Sequence, residues 1–449
     1  MRVEKDGLGY VADIPDEGIR IHVDRLSESR GELTGELTVQ RAPDGHLMRS
    51  RINLVSQRTR SDTAKFLGTR SSGVDWTGLL ETFALKVLDL ERRGEPATLI
   101  GNRPPRGAPD WMLHPILLRG VATLLYGEGG TGKSTFTAAV AASVATGVPL
   151  LEGWHVPAPS PVLVLDWEAD GDDWNDIVSA ICAGMSVPPP PIYHMPCGAS
   201  LPAQLHRIAR EVDDKGAKLV IVDSVGLATP SAREGTDANE SALRLFSALR
   251  VLGVTSLLID HVAKSAVGNE GSAMGPYGSI YKTNSARAVY ELRASPEPDP
   301  DGTRHLALIH RKGNRTAKQP TQGIRVSRDD AHIYLEAEPV DDSPRLASAL
   351  SLQERIRRAL LEARRPMTAK ELASDLGTNS AVVNTTLMRA TGLFIRTGSE
   401  GRENLWGVLS NTLDNNSNNG AGMSNTRPPF RGGGSALDNH PRSEGVTAA

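Results

Sequence analysis

The sequence predicts an α/β protein built on a parallel sheet, with a small β-rich domain ahead of it and a compact unit of helices and a hairpin behind it. Three observations carry that expectation. Between residues 111 and 338, short apolar runs alternate with helical stretches, the pattern of strands joined by crossover helices. Inside that region the apolar run Val121–Tyr126 leads at once into Gly127-Glu128-Gly129-Gly130-Thr131-Gly132-Lys133-Ser134, and then into a small-residue stretch from Thr135 to Ala145. Near the start of the chain, period-two alternation stands on both sides of a Pro43-Asp44-Gly45 turn.

Composition narrows the classes. A chain of 449 residues corresponds to about three domains. Hydrophobic residues at 39% and charged residues at 23% suit a soluble globular protein with some flexible segments, and exclude a coiled-coil rod, a collagen-like repeat or a wholly disordered chain. No apolar run approaches the roughly 20 residues that span a bilayer, so no membrane partner is expected. The first ten residues lack the apolar core of a secretory leader. Cys182 and Cys197 are the only cysteines, which allows neither a disulfide framework nor a thiolate metal cluster and points to a reducing, cytoplasmic setting. The net charge of −3 gives no global basic field to attract nucleic acid. Aromatic residues at 4% leave little material for stacking bases.

Taken in order, residues 1–95 form the β-rich domain. IRIHVDR, ELTGELTVQR and LMRSRINLV are its strands, and WTGLLETFALKVLDLERRG is a helix with Leu79, Leu80, Phe83, Val87 and Leu90 on its apolar face, stopped by Gly94. Residues 96–110 are a Pro/Gly-rich linker, 111–338 the α/β core, and 339–350 a second, acidic linker. Residues 351–410 form the helical unit, and the tail 411–449 has too few large apolar residues to fold, so it is expected to be disordered.

The glycine-rich segment matches G-x-x-x-x-G-K-[ST] in its required strand-to-helix context. Gly127, Gly129, Gly130 and Gly132 let the backbone curl until its N–H groups face a phosphate, and Thr131 belongs to the same loop. The helix opening at Lys133, Ser134 and Thr135 adds the positive end of its dipole. Lys133 reaches the β- and γ-phosphates, and the Ser134 hydroxyl is a ligand for Mg²⁺. ATP and Mg²⁺ are therefore the expected cofactors.

Further apolar strands end in polar residues. KLVIVD ends at Asp223, suited to hold the hydrated Mg²⁺ together with Ser134. Asp223 is followed by Ser224 rather than by an acid, so the group that orients the attacking water must come from elsewhere. VLVLD-Trp167-Glu168 supplies Glu168, with Asp166 as the alternative. TSLLIDH ends in the polar pair Asp260-His261, with His261 a candidate sensor of the γ-phosphate, and a Gly-rich stretch follows it with Lys264 and, farther on, Lys282 as its chief cations. SARAVYELR and HLALIHRKGNR supply Arg287, Arg311, Lys312 and Arg315, any of which could neutralise a γ-phosphate on a neighbouring subunit.

In the helical unit, SLQERIRRALLEARR carries Leu352, Ile356, Ala359 and Leu360 on one face. Thr368-x-x-Glu371 is a capping box, and Asn379 or Ser380 caps a third helix. A hairpin follows over FIRTGSEGRENLWGVL. Three helices and a hairpin resemble a winged helix, here with nine basic and six acidic residues, a net charge of +3. The third helix offers Asn379, Ser380, Asn384 and Thr385, with Arg389 near its end, and Arg396 and Arg402 lie on the hairpin. Contact with double-stranded DNA and contact with protein are both open to such a surface.

The series GEGGTGKST, VLVLDWEAD, KLVIVDS, LLIDHVAKS, ARAVYEL and HRKGN resembles the RecA-like ATPase core of RepA-type hexameric replicative helicases and related phage and plasmid ATPases, over roughly residues 110–320. The resemblance implies a RecA-like P-loop NTPase fold, a homo-oligomeric ring hydrolysing ATP at its subunit interfaces, and single-stranded DNA in a central channel. It assigns Lys133 and Ser134 to phosphate and Mg²⁺, Glu168 to the catalytic glutamate, Asp223 to the Walker-B acid and His261 to the sensor. Arg287 falls at the arginine finger, and Lys312 and Asn314 in a K-x-N-like element. A DNA motor of the replicative-helicase type is the expected function. A RecA-like regulatory or loader ATPase shares all the ATP chemistry and is the alternative. A small-molecule kinase is disfavoured, since no Arg-rich lid is visible and the helical unit would be superfluous.

Overall fold

The computed structural model describes residues 1–94, 96–101, 107–230, 237–262, 276, 280–295, 297–340, 352–401 and 403–409. The tail from residue 411, the acidic linker over 341–350, Lys264 with most of the Gly-rich stretch around it, and Arg402 lie outside the described residues. The chain divides into two compact units, Met1–Arg358 and Ala359–Ala449.

The first unit opens with an antiparallel sheet of β1 (Glu4–Asp6), β2 (Gly9–Ile14), β3 (Ile19–Ser29), β4 (Glu32–Arg41) and β5 (Gly45–Asn53), paired in sequence order. Alternation puts Ile21, Val23, Leu37 and Val39 on one face, covered by α1 (Gln57–Arg70) and α2 (Trp76–Arg93). Asp75 caps α2 through the Gly78 N–H, and Leu80, Phe83 and Val87 are buried as expected, whereas Leu90 is exposed. Helix α1 has no counterpart in the sequence reading. It buries only Arg60, Ala64 and Leu67, too few apolar positions to stand out by periodicity. Asp24 of β3 pairs with Arg210 at 2.7 Å, tying this sheet to the core that follows.

The short strands β6 (Trp111–Leu113) and β7 (Leu117–Leu118) lead into the main sheet. Its elements are β8 (Ala122–Gly127), α3 (Lys133–Thr146), β9 (Val162–Asp166), α4 (Gly171–Gly184), β10 (Ile192–Pro196), α5 (Leu205–Asp214), β11 (Leu219–Asp223), α6 (Val225–Ala228), α7 (Ala238–Leu252), β12 (Thr255–His261), α8 (Ile280–Ser285), β13 (Ala288–Ala294), β14 (Arg304–Gly313), β15 (Gln322–Arg328) and β16 (Ile333–Glu338). The strand order is β10-β9-β11-β12-β8-β13-β14-β15-β16. The first six run parallel, and β14, β15 and β16 are antiparallel, so the sheet is mixed rather than wholly parallel. The short links after β13 explain this: a hairpin closes in a few residues, whereas a parallel return needs a helix-length crossover. Helix α3 is buried nearly all round, because alanines at 138, 139, 141, 142 and 145 let it lie close between the sheet and the Trp154 side of the core. Both faces of the sheet are apolar, and the order leaves the carboxyl ends of β9, β11, β12 and β8 side by side on one rim.

The second unit begins within α9 (Leu352–Ala363) and contains β17 (Met367–Thr368), α10 (Ala369–Asp375), α11 (Ser380–Arg389), β18 (Phe394–Glu400) and β19 (Glu403–Val408), with sheet order β17-β19-β18. The capping box is formed in full: Thr368 Oγ1 accepts the Glu371 N–H and the Glu371 carboxylate accepts the Thr368 N–H. Asn379, not Ser380, caps α11.

Among the described residues no helix is long and apolar enough to cross a membrane.

Candidate nucleotide-binding site

The loop between β8 and α3 occupies the carboxyl rim of the sheet, where ligands of open α/β sheets bind. Its glycines are not equivalent. A Cβ on Gly127 would lie 2.4 Å from the carbonyl oxygen of Leu292 on β13, so only glycine lets these backbones approach. Gly130 and Gly132 have φ of 74° and 84°, the left-handed region that glycine enters freely. Gly129 has open space around its Cα. Thr131 Oγ1 donates to the Glu128 carbonyl at 2.9 Å and closes the turn. Arg304 reaches across from β14 and donates to the Gly130 carbonyl at 2.7 Å. Lys133 is buried, and its Nζ donates to the carbonyls of Gly127 at 3.0 Å and Glu128 at 2.7 Å. Burial lowers its pKa, while Asp223, Glu168, Asp260 and Glu128 favour the charged form.

Ser134 and Thr135 stand in the first turn of α3. Ser134 Oγ donates to Asp223 Oδ2 at 3.3 Å, which brings together the two residues expected to hold Mg²⁺. Burial, followed by the nearby Glu168 and Asp166 carboxylates, pushes Asp223 up to about 6; the Ser134 hydrogen bond and Lys133 oppose the rise. A carboxylate held this way gains from a cation. Among the described residues no group of three or more His, Cys, Asp or Glu side chains could hold a metal alone. One hydroxyl and one carboxylate beside a phosphate loop fit Mg²⁺, which typically shares its ligands with substrate phosphates and water.

Glu168 sits in the turn between β9 and α4. Ser224 donates its hydroxyl to Glu168 Oε1, and His261 Nε2 lies 3.6 Å from the same oxygen. Oε2 has no hydrogen-bond partner among the described residues, and the side chain is 41% exposed, so one oxygen is held and the other faces water. His261 is in register with Gly127, which sets its imidazole next to the loop. Asp166, the alternative for the same task, is engaged otherwise: it is buried, Oδ1 accepts the N–H groups of Glu168 and Ala169, and Oδ2 meets His194 Nε2 at 3.1 Å. Ser224, Asp166 and His194 are the contributors that no motif reading assigned to Glu168.

Arg287 and Lys312 are not part of this cluster. Ala288 pairs with Thr123 at the start of β8, so Arg287 lies on the opposite rim of the sheet, on the order of 15 Å from the loop at 3.3 Å per residue. The antiparallel pairing of Lys312 with Val289 puts it there too. Lys312 donates to the carbonyls of Thr283, Asn284 and Ala286 at 2.7, 3.0 and 2.9 Å, capping the end of α8. That engagement corrects the view of Lys312 as a free cation, whereas Arg287 is exposed. Arg311 is held by the buried Glu291 together with Arg293. Lys282 is corrected as well: it is 5% exposed and pairs with buried Asp260 at 2.9 Å, so it is no strand-facing cation.

Residues 90–267 match the family model described as an AAA domain, a span that contains the loop, Glu168, Asp223 and His261. The match and the strand–loop–helix geometry together identify the core as a P-loop ATPase core. No curated protein matches the sequence. Among similar solved structures is a KaiC-like protein of the hyperthermophilic archaeon Pyrococcus horikoshii, with 19% identity and a TM-score of 0.36 over 51% of this chain and 94% of that one.

Proposed function

We propose that the site hydrolyses ATP with Mg²⁺ between copies of the chain, and that the ATP state governs assembly with macromolecular partners. The reading is carried by the convergence of the Ser134–Asp223 pair and the Glu168–Ser224–His261 group on the loop that holds Lys133. The loop N–H groups and Lys133 bind the phosphates. Ser134 and Asp223 would hold Mg²⁺, which supplies charge neutralisation across the β- and γ-phosphates. Glu168, fixed at Oε1, orients water through Oε2 for in-line attack on the γ-phosphorus. The new P–O bond forms as the bond to the β-phosphate oxygen breaks, and the water proton passes to Oε2 or a phosphate oxygen. His261 lies where it can follow the loss of the γ-phosphate. Arg287 is out of reach within one chain, so a role for it in neutralising transition-state charge requires a neighbouring copy.

Two partner classes share this chemistry. A motor on single-stranded DNA is what the helicase resemblance implies. The burial of Lys282 withdraws one of the two cations expected to face a strand, and this favours the regulatory or loader ATPase. On α11, the Thr385 and Thr386 hydroxyls bond to the carbonyls of Ala381 and Val382, and Val382 and Met388 are exposed, which favours a protein partner for the winged-helix-like unit over base readout. Steady-state ATPase rates with and without single-stranded DNA, with Lys133→Ala as the blank, decide between them. Turnover unchanged by DNA supports the regulatory reading, and a several-fold stimulation absent from the blank establishes the motor. Glu168→Gln is expected to bind ATP and halt hydrolysis; normal turnover would remove Glu168 from the mechanism.

A further inference from the structure

We propose that Asp166 and His194 form a positioning pair for Glu168, so that water attack depends on strand β10 at the edge of the sheet. The inference rests on the reading of Glu168 given above.

Glu168 belongs to the turn Trp167–Asp170, which must hold a carboxylate steady although it has no regular structure of its own. Three sets of contacts fix it. The Trp167 N–H donates to the Asp223 carbonyl at 2.8 Å, and the indole Nε1 donates to the Ala199 carbonyl at 2.7 Å. Asp170 closes the far end by accepting the N–H groups of Asp172 and Asp173 at 3.0 Å each, starting α4. Asp166 takes the middle: Oδ1 accepts from Glu168 N–H at 2.8 Å and from Ala169 N–H at 3.0 Å. The backbone of Glu168 is therefore aimed by one carboxylate oxygen.

That oxygen can aim only if the carboxylate plane is fixed, and His194 fixes it. Its Nε2 lies 3.1 Å from Asp166 Oδ2. A carboxylate only accepts, so Nε2 carries the proton in this contact. The Asp166 side chain is fully buried, with 0% exposure, and no other donor to Oδ2 is seen among the described residues. His194 is held in turn. It stands on β10 in register with Val164 of β9, and a Cβ on Gly171, the first residue of α4, would lie 3.3 Å from its Nδ1, so the ring sits close against the start of that helix. Removing the imidazole leaves a buried carboxylate half-satisfied and free to turn toward another donor. The two amides then lose their fixed acceptor, and Glu168 drifts while the phosphate loop, on β8, stays as it was.

Because the pair acts through Glu168, its signature is a loss of kcat without a loss of binding. His194→Ala is expected to lower kcat about 10- to 100-fold, the range for removing the partner that orients a reacting group, with KM and ATP affinity within about twofold of wild type. His194→Gln keeps an N–H donor at similar reach and is expected to recover most of that loss. In the double variant with Glu168→Gln, His194→Ala is expected to add almost nothing, since both act on one step. A kcat for His194→Ala within about twofold of wild type would overturn the pair. So would a loss that His194→Gln fails to relieve, or one that adds in full to that of Glu168→Gln. Normal turnover by Glu168→Gln alone marks failure of the underlying reading instead. Thermal melting of each variant separates a kinetic effect from simple unfolding.

Discussion

Replacing Gly127 by alanine tests the geometry of the phosphate loop without touching its charge. The added Cβ would lie 2.4 Å from the Leu292 carbonyl oxygen and 3.2 Å from Thr131 Oγ1. A carbon and a carbonyl oxygen rest at about 3.3 Å or more, so one backbone must move by roughly 0.9 Å. The carbonyl lies within β13, whereas Gly127 is the last residue of β8 where the loop begins, so the loop is the part that yields. Overpacking of this kind costs about 2 kcal/mol, or about 4–8 °C in melting temperature for a domain of this size. A displacement near 1 Å at the phosphates should also lower kcat/KM about 100-fold. Gly129→Ala is the control: it has nothing within 4 Å and no left-handed backbone, and its melting point should stay within about 2 °C of wild type without nucleotide. Differential scanning calorimetry of both variants settles the matter. If Gly127→Ala melts with the wild type, or Gly129→Ala falls as far, the close approach of β8 and β13 is not what fixes this residue.

Asp223→Asn should melt higher than wild type by about 1 kcal/mol in the absence of nucleotide, because it relieves a buried carboxylate crowded by Glu168 and Asp166. The same variant should lose Mg²⁺-dependent turnover, and a lower melting point would refute the crowding. Ser224→Ala frees Glu168 Oε1 and should reduce kcat about 10-fold with ATP affinity unchanged; equal losses in both would show that the hydroxyl serves binding instead. Lys282→Met strands Asp260 in the interior and should cost about 3–5 kcal/mol in denaturant unfolding, with a cost near zero showing that the pair supports nothing.

Much of the core was legible because its signals are local. The phosphate loop is a contiguous motif, and the apolar strands before Asp166, Asp223 and His261 announce themselves by composition and by the polar residue that ends each one. What escaped depends on neighbours distant in sequence. Asp166 and Glu168 stand two residues apart, and nothing local announces that Asp166 accepts the Glu168 N–H while meeting His194, 28 residues later. Lys282 and Lys312 look like free cations on paper. One is consumed by Asp260 and the other by three carbonyls at the end of α8, pairings that no periodicity encodes. Helix α1 was missed for a related reason: its buried set includes Arg60, whose guanidinium donates to the Leu54 carbonyl and pairs with Glu81.

The order of the strands has a consequence for where the site yields first. Among the described residues, strand β8 is the fifth of nine, flanked on both sides, whereas β9 is second from an edge and its outer neighbour β10 has only five residues. Fraying of a sheet proceeds from its margins inward. Amides of β10 and the turn holding Glu168 should therefore exchange with deuterium well before those of β8. On warming, the chain would pass through a range in which it still grips its nucleotide but no longer consumes it.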